Sequence, residues 1–231
     1  MSETPPSERT RVKRHPERGP YDRATIDPIL DEALFCHVGY VADGRPRVIP
    51  TIHVRVDDTL YIHGSNASRT LRTIKDGEEV CIVTTLLDGL VLARSAFMHS
   101  MNYRSVVVYG PARGITDRVE KWMAQKALVD HVCAGRSDQV RMPTEDELRQ
   151  TTILAVSLEE ASAKLRTGPP KDDEADYDLP VWAGVLPMAT VPQMPQDDPR
   201  LNPGLEPPPN VARYHRPPDQ AFSPRVDVPP T

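Results

Sequence analysis

Leu34-Phe35-Cys36-His37-Val38-Gly39-Tyr40-Val41, then Asp43-Gly44, then Arg47 through Val56, then Asp57-Asp58, then Thr59-Leu60-Tyr61-Ile62-His63: the fold is decided by this run. Its apolar segments are short and rich in β-branched and aromatic residues, so they read as strands. Asp43-Gly44 separates the first two. Both residues tolerate positive φ, and the pair signals a tight hairpin. Asp57-Asp58 makes a second turn. Strands joined by turns this short pair antiparallel, because a parallel pairing needs a long crossover.

Working outward, the same grammar recurs. Towards the N-terminus, Thr25 is expected to cap a helix running to Ala33, with Asp27 and Asp31 favouring its early turns. Towards the C-terminus, Gly64 to Ser68 break the strand pattern. A helix is expected from about Ser68 to Asp76, with Leu71 and Ile74 on one face. Glu79 to Leu86, Leu90 to Phe97 and Arg104 to Ile115 read as strands, and Asp88-Gly89 as the turn between the first two. Asp117 opens a helix to about Val132. Ile153 to Leu158 and Val181 to Met188 are late strands. Six or more short strands with few helices between them favour an antiparallel barrel over a parallel α/β sheet.

Most apolar residues lie between Ile26 and Met188, which divides the chain in three. Residues 1–20 are polar and expected as a flexible arm, residues 21–188 as the folded domain, and residues 189–231 as a proline-rich tail. Thirteen of the 25 prolines fall between Pro187 and Pro230, so the tail cannot build a sheet. It is expected either as an extended arm wrapping a partner subunit or as disorder over the last fifteen residues or so. The formal charge of −5 argues against nucleic acid as a partner. The basic cluster from Arg9 to Arg14 reads as a solvated arm. Cys36, Cys81 and Cys133 form no CxxC pair, which argues against zinc or a redox dithiol. An odd number of thiols and the lack of an apolar leader point to the cytoplasm. No apolar run is long enough for a membrane span.

Chemistry concentrates in Tyr61-Ile62-His63-Gly64-Ser65-Asn66-Ala67-Ser68-Arg69-Thr70-Leu71. A strand ends, small polar residues turn the chain, and a helix begins, presenting free N–H groups to an anion. Ser65 and Ser68 add hydroxyl donors, and Arg69 a charge that suits phosphate. Gly64 and Ala67 let the backbone approach a ligand. An ordinary capped surface helix has the same spacing. No Rossmann or P-loop motif exists. In Arg47-Val48-Ile49-Pro50-Thr51-Ile52-His53, Pro50 interrupts a strand, which places it at a sheet edge or bulge. Such an edge leaves strand groups free for a ligand.

Gly39 to Arg113 resembles the pyridoxamine 5′-phosphate oxidase-like, FMN-binding split-barrel superfamily, and within it the branch that includes the nitroimidazole-resistance proteins. The pieces that carry the likeness are Gly44-Arg45-Pro46-Arg47-Val48-Ile49-Pro50-Thr51, Leu60-Tyr61-Ile62-His63-Gly64-Ser65, Ser68-Arg69, Val80-Cys81-Ile82-Val83 and Arg104-Ser105-Val106-Val107-Val108-Tyr109-Gly110-Pro111-Ala112. It continues more loosely through Ala163 to Pro170 and Leu179 to Gly184.

The resemblance implies a mainly β, antiparallel split β-barrel that pairs as a homodimer, with FMN in a groove at the interface. Carried over, Val48, Ile49, Pro50 and Thr51 line the isoalloxazine, while Ser68 and Arg69 hold the phosphate with Thr70 nearby. The oxidase has a lysine where Thr70 stands, so either weaker phosphate binding or help from Arg72 or Lys75 is expected. His63 matches a histidine near the flavin in the nitroimidazole-resistance branch. Ser105 stands where the oxidase has a flavin-contacting glutamine. His99 to Arg104, including Asn102, Tyr103 and Arg104, either supplies side chains to the flavin or is a hairpin loop. Trp182 either covers the flavin or packs in the core. The implied activity is an FMN-dependent oxidoreductase acting on a small organic substrate such as a nitro compound, quinone or heterocycle. NAD(P)H is a candidate donor, and His63 and Tyr103 are candidate proton carriers. The alternatives are a non-catalytic flavin-binding or redox-sensing protein, or the same barrel holding haem or a deazaflavin.

Overall fold

The computed structural model describes residues 4–216. The first helix, α1 (Arg23–Glu32), is capped by Asp22. The Asp22 carboxylate accepts from the Thr25 amide and hydroxyl, both at 3.0 Å. Thr25, the expected cap, is therefore the donor. An ionised acceptor suits the positive end of a helix better than a hydroxyl does.

The hairpin of β1 (Phe35–Ala42) and β2 (Arg45–Val56) turns on Asp43 and Gly44, with φ of 54° and 70°. β3 (Thr59–Ser65) follows the second turn. Then come α2 (Arg69–Ile74), β4 (Asp76–Leu92), β5 (Ser100–Gly114) and α3 (Arg118–Val132), followed by α4 (Glu145–Gln150), β6 (Thr151–Ser157) and β7 (Ala161–Arg166). β8 (Gly184–Pro187) and α5 (Pro209–Ala212) complete the order. The strands form one antiparallel sheet in the order β7-β5-β6-β3-β2-β1-β4-β8. β4 also pairs with β5, which closes the sheet into a barrel.

Alternate residues of these strands fill the barrel. Val38, Ile62, Ile82, Val106 and Leu154 are buried together, and α1 and α2 add Leu30, Leu71 and Ile74. A second apolar cluster forms outside the barrel wall. There Ala124, Ala127 and Leu128 of α3 pack on Val54, Tyr61 and Ile153. Period-two burial on the strands and period-3.6 burial on α3 share one sheet, so β2, β3 and β6 are covered on both faces.

Several expectations are corrected. Asp88-Gly89 is not a turn. β4 runs through it, with a register shift against β5 between Leu87 and Gly89. Gly89 takes no positive φ. The Asp88 carboxylate is held by Arg104, and β8 closes over Gly89, leaving the backbone extended. The chain reverses instead between Leu92 and Ser100, so most of His99 to Arg104 is strand rather than loop. α4 and β7 were not anticipated. β7 is built from small and charged residues, Ala161 to Arg166, that lack the β-branched signature. The late strand is shorter than expected and begins only at Gly184.

The N-terminal segment packs on the barrel. Arg9 bridges Glu79 and Glu160 and lies over the Tyr109 ring at 5.3 Å, so the basic cluster is not wholly solvated. The Ala163 amide donates to the Pro20 carbonyl at 3.0 Å, extending this contact to β7. In the tail, Asn210 hydrogen-bonds the Ala134 carbonyl at 2.8 Å, tying α5 to the end of α3. The last fifteen residues, for which disorder was expected, lie outside the described residues. Among the described residues, no helix is long and apolar enough to cross a membrane.

Candidate functional site

β2 changes partner half-way along its length. From Arg45 to Ile52 it pairs with β1, and from His53 to Val56 with β3. β3 leaves β2 at His53–Ile62 and continues along β6 as far as Ser65. The barrel is split there. One edge of β2 from Arg45 to Ile52 carries no strand, and Val48 is 66% exposed. Pro50 sits on this stretch opposite His37, where a missing N–H leaves no ladder bond unmade.

The other wall of the split is the segment that turns from β3 into α2. Arg69 reaches the tip of the β1–β2 hairpin and pairs with Asp43 at 3.1 Å. The Thr70 hydroxyl lies 2.9 Å from the Tyr40 hydroxyl of β1. The fold therefore sets Val48, Ile49, Pro50 and Thr51 on one side of the opening and His63, Gly64, Ser65, Ser68, Arg69 and Thr70 on the other.

His63 is the chemically distinctive member. Its Nδ1 is buried and has no hydrogen-bond partner in the protein. Burial holds its pKa below the ordinary imidazole value, so the ring is neutral near pH 7. An unpaired buried nitrogen ordinarily costs ~1–3 kcal/mol. His53 Nδ1 is likewise buried and without a partner, but it lies in the core, whereas His63 lies where β3 leaves β2 at the split.

The two serines serve the turn first. Ser65 Oγ accepts from the Ala67 amide at 3.1 Å and Ser68 Oγ from the Leu71 amide at 3.4 Å. Each keeps its own O–H to donate. Arg69 is 72% exposed, and its carboxylate partner Asp43 is equally so. Gly64 has a different reason for being bare than the one expected. A Cβ there would fall 2.8 Å from Leu71 Cδ1, so the missing side chain admits α2 rather than a ligand.

The candidates on β5 lie elsewhere in the chain. β6 lies between β3 and β5, but it meets β5 only at Arg113 and Gly114, roughly 33 Å along an extended strand from Tyr103. A single chain therefore does not bring Tyr103 to His63. Arg104 is committed, donating to Glu32 at 2.9 Å and to Asp88 at 2.8 Å. Asn102 donates to the Gly168 carbonyl at 3.2 Å and accepts from Arg166. The Ser105 hydroxyl donates to the Lys164 carbonyl at 3.2 Å. Trp182 is 68% exposed, so it is not core packing, and its indole lies over Gly184. The Tyr40–Thr70 contact was missed by sequence reasoning, because nothing local to Tyr40 signals a partner thirty residues on.

A family model described as pyridoxamine 5′-phosphate oxidase matches residues 22–165. The chain belongs to this family. The match takes in the first six strands, both walls of the split and α3. A flavocytochrome from Azotobacter vinelandii is 40% identical, with 90% of this chain and 96% of that one covered and a TM-score of 0.84. A FAD- and haem-binding protein from Mycobacterium smegmatis is 35% identical, covering 84% of this chain and 95% of that one, with a TM-score of 0.80. A 5-nitroimidazole resistance protein from Bacteroides thetaiotaomicron shares the fold at 24% identity and a TM-score of 0.51, over 63% of this chain and 85% of that one. No curated protein matches the chain. The family and fold expected from the sequence are thus those found.

Proposed function

We propose that this chain is a flavin-binding redox protein whose cofactor lies in the split between β2 and the β3–α2 turn. The observation that carries the proposal is the unpaired edge of β2, Arg45 to Ile52, beside the partnerless Nδ1 of His63. A flavin ring system carries donors and acceptors along its edge, as a strand does, and it suits such an opening. Arg69 and the Ser65 and Ser68 hydroxyls supply donors for its phosphate. When bound, a flavin supplies one- and two-electron transfer. The residues of the chain would orient it, and His63 would hold or exchange a proton at Nδ1.

An exposed apolar face supports pairing of two copies. Phe35 and Ile52 are register partners on β1 and β2, both are exposed, and exposed Val41 and Val48 extend the patch. A homodimer through this face would bury the bare edge and could bring Tyr103 of β5 to the flavin from the second copy. Both FMN, as the family resemblance implied, and FAD, as carried by one relative, present the same phosphate to Arg69. The relatives' haem gives a second reading, a protein that holds haem beside the flavin. A visible spectrum of the purified, reconstituted protein tests both. A flavin band is expected, and a Soret band identifies haem. A colourless protein that takes up neither FMN nor FAD removes the proposal.

A further inference from the structure

A second opening lies where the N-terminal segment meets β7 and the β4–β5 hairpin. It encloses about 540 Å³. Five cations converge on it: Arg14 and Arg18 from the N-terminal segment, Lys164 and Arg166 from β7, and Lys171 from the loop beyond. Its lining includes no carboxylate. Arg18 has only Glu17 at 3.7 Å, and Arg14, Lys164, Arg166 and Lys171 have no carboxylate partner among the described residues.

Arg166 is the anomaly. The residue is only 9% exposed, yet its guanidinium meets neutral groups alone, Asn102 Oδ1 and the carbonyls of Gly168 and Pro169. Burial, and then the charge of Arg18, hold its pKa below the usual guanidinium value. A buried guanidinium facing another cation is costly unless an anion completes it. The fold nevertheless holds these cations together. Tyr103 and Arg166 are register partners, and His15, between Arg14 and Pro16, takes a left-handed backbone at φ 60°. That conformation is disfavoured for a side chain with a Cβ and is typical of a constrained site.

The same opening has an aromatic side. Phe97 is 88% exposed at its rim, and Tyr103 lines its wall. An isolated exposed phenylalanine needs no explanation, but one beside five cations, four of them without a carboxylate partner among the described residues, does. The volume falls in the range of small-molecule sites, roughly 300–1,000 Å³. We infer that this opening binds a nucleotide, its phosphates against Arg14, Arg18, Arg166 and Lys171 and its base against Phe97 and Tyr103. This site shares no residue with the β2 split of the same chain, and binding there does not require a flavin to be present.

The test is calorimetry on the full-length protein with ADP and with inorganic pyrophosphate. Both bind, with affinity falling as salt rises. In the double variant Arg14→Glu/Lys171→Glu, whose sites are exposed or partly exposed, both ligands weaken by about tenfold or more while the thermal midpoint holds. Phe97→Ser weakens ADP and spares pyrophosphate. Protein loaded with FMN or with FAD separates the source of the phosphates. Loss of ADP binding only after FAD loading assigns the site to the cofactor's own diphosphate, and retained binding assigns it to a separate nucleotide. If neither ADP nor pyrophosphate binds, or the charge reversals leave both affinities unchanged, the inference is overturned.

Discussion

His53 and His131 pack against each other in the protein interior, with ring centroids 5.3 Å apart and planes tilted by 49°. Each donates from Nε2 to a carbonyl at the end of α1, His53 to Leu30 at 3.0 Å and His131 to Ala33 at 2.9 Å. The last carbonyls of a helix have no partner within it. Arg216 supplies the two between them, donating to Asp31 and, at 3.0 Å, to Glu32. The end of α1 is thus closed by a strand, a helix and the tail.

The histidine pair makes stability depend on pH. Burial lowers His53 to about 4, and burial together with the neighbouring His53 lowers His131 to about 3, from an ordinary 6.5. The unfolded chain takes up these protons near pH 6.5, and the native state does so only well below it. Stability is therefore complete above that value and falls as the solution is acidified towards about pH 4. Each histidine contributes ~1.4 kcal/mol per pH unit within its window. Urea midpoints should drop between about pH 7 and about pH 5, before most carboxylates titrate, and His131→Gln should flatten the dependence.

Arg216 tests whether the tail holds α1. Arg216→Ala removes donors to Asp31, Glu32 and the His131 carbonyl. A loss of about 1.5–3 kcal/mol is expected, the scale of hydrogen bonds from a charged donor to buried carbonyls. Chemical denaturation reads it, and an unchanged midpoint would place Arg216 in solvent.

Arg69→Ala addresses the split. The side chain is mostly exposed and its one carboxylate partner is weakly held, so folding should be little affected. Flavin affinity should fall by about 1.5–3 kcal/mol, read by fluorescence titration with FMN and with FAD. Equal affinity for wild type and variant would move the phosphate elsewhere.

Arg104 joins Glu32 of α1 to Asp88 of the β4 bulge. Arg104→Ala leaves two carboxylates facing each other with no cation between them. A destabilisation of about 1–2 kcal/mol is expected at this partly buried site. Adding Glu32→Gln should recover part of it. If Arg104 instead serves the flavin, the variant would lose cofactor with its midpoint unchanged.

Where a structural choice is made by neighbours in the chain, it was legible before any coordinates. Asp43-Gly44 adopts positive φ because those two residues tolerate it, and Ser68 and Asp117 cap α2 and α3 through their own side chains. The strands that carry Val38, Ile62 and Ile82 into the barrel were legible from their short β-branched and apolar runs. Family likeness then gave the split-barrel fold, without showing where the barrel splits. Tertiary structure alone decided that β2 abandons β3 for β1, since a strand edge has no sequence mark for which neighbour takes it. It decided that Asp88-Gly89 stays extended, because Arg104 and β8 compete with the turn from far along the chain. It also decided which cations are neutralised. Arg104 finds Glu32 and Asp88 while Arg166 finds only carbonyls and an amide, although both are arginines on neighbouring strands. Hydrogen-bond geometry within a turn is fixed over a few residues, but charge pairing depends on what folding brings within a few ångströms, and that is not written locally.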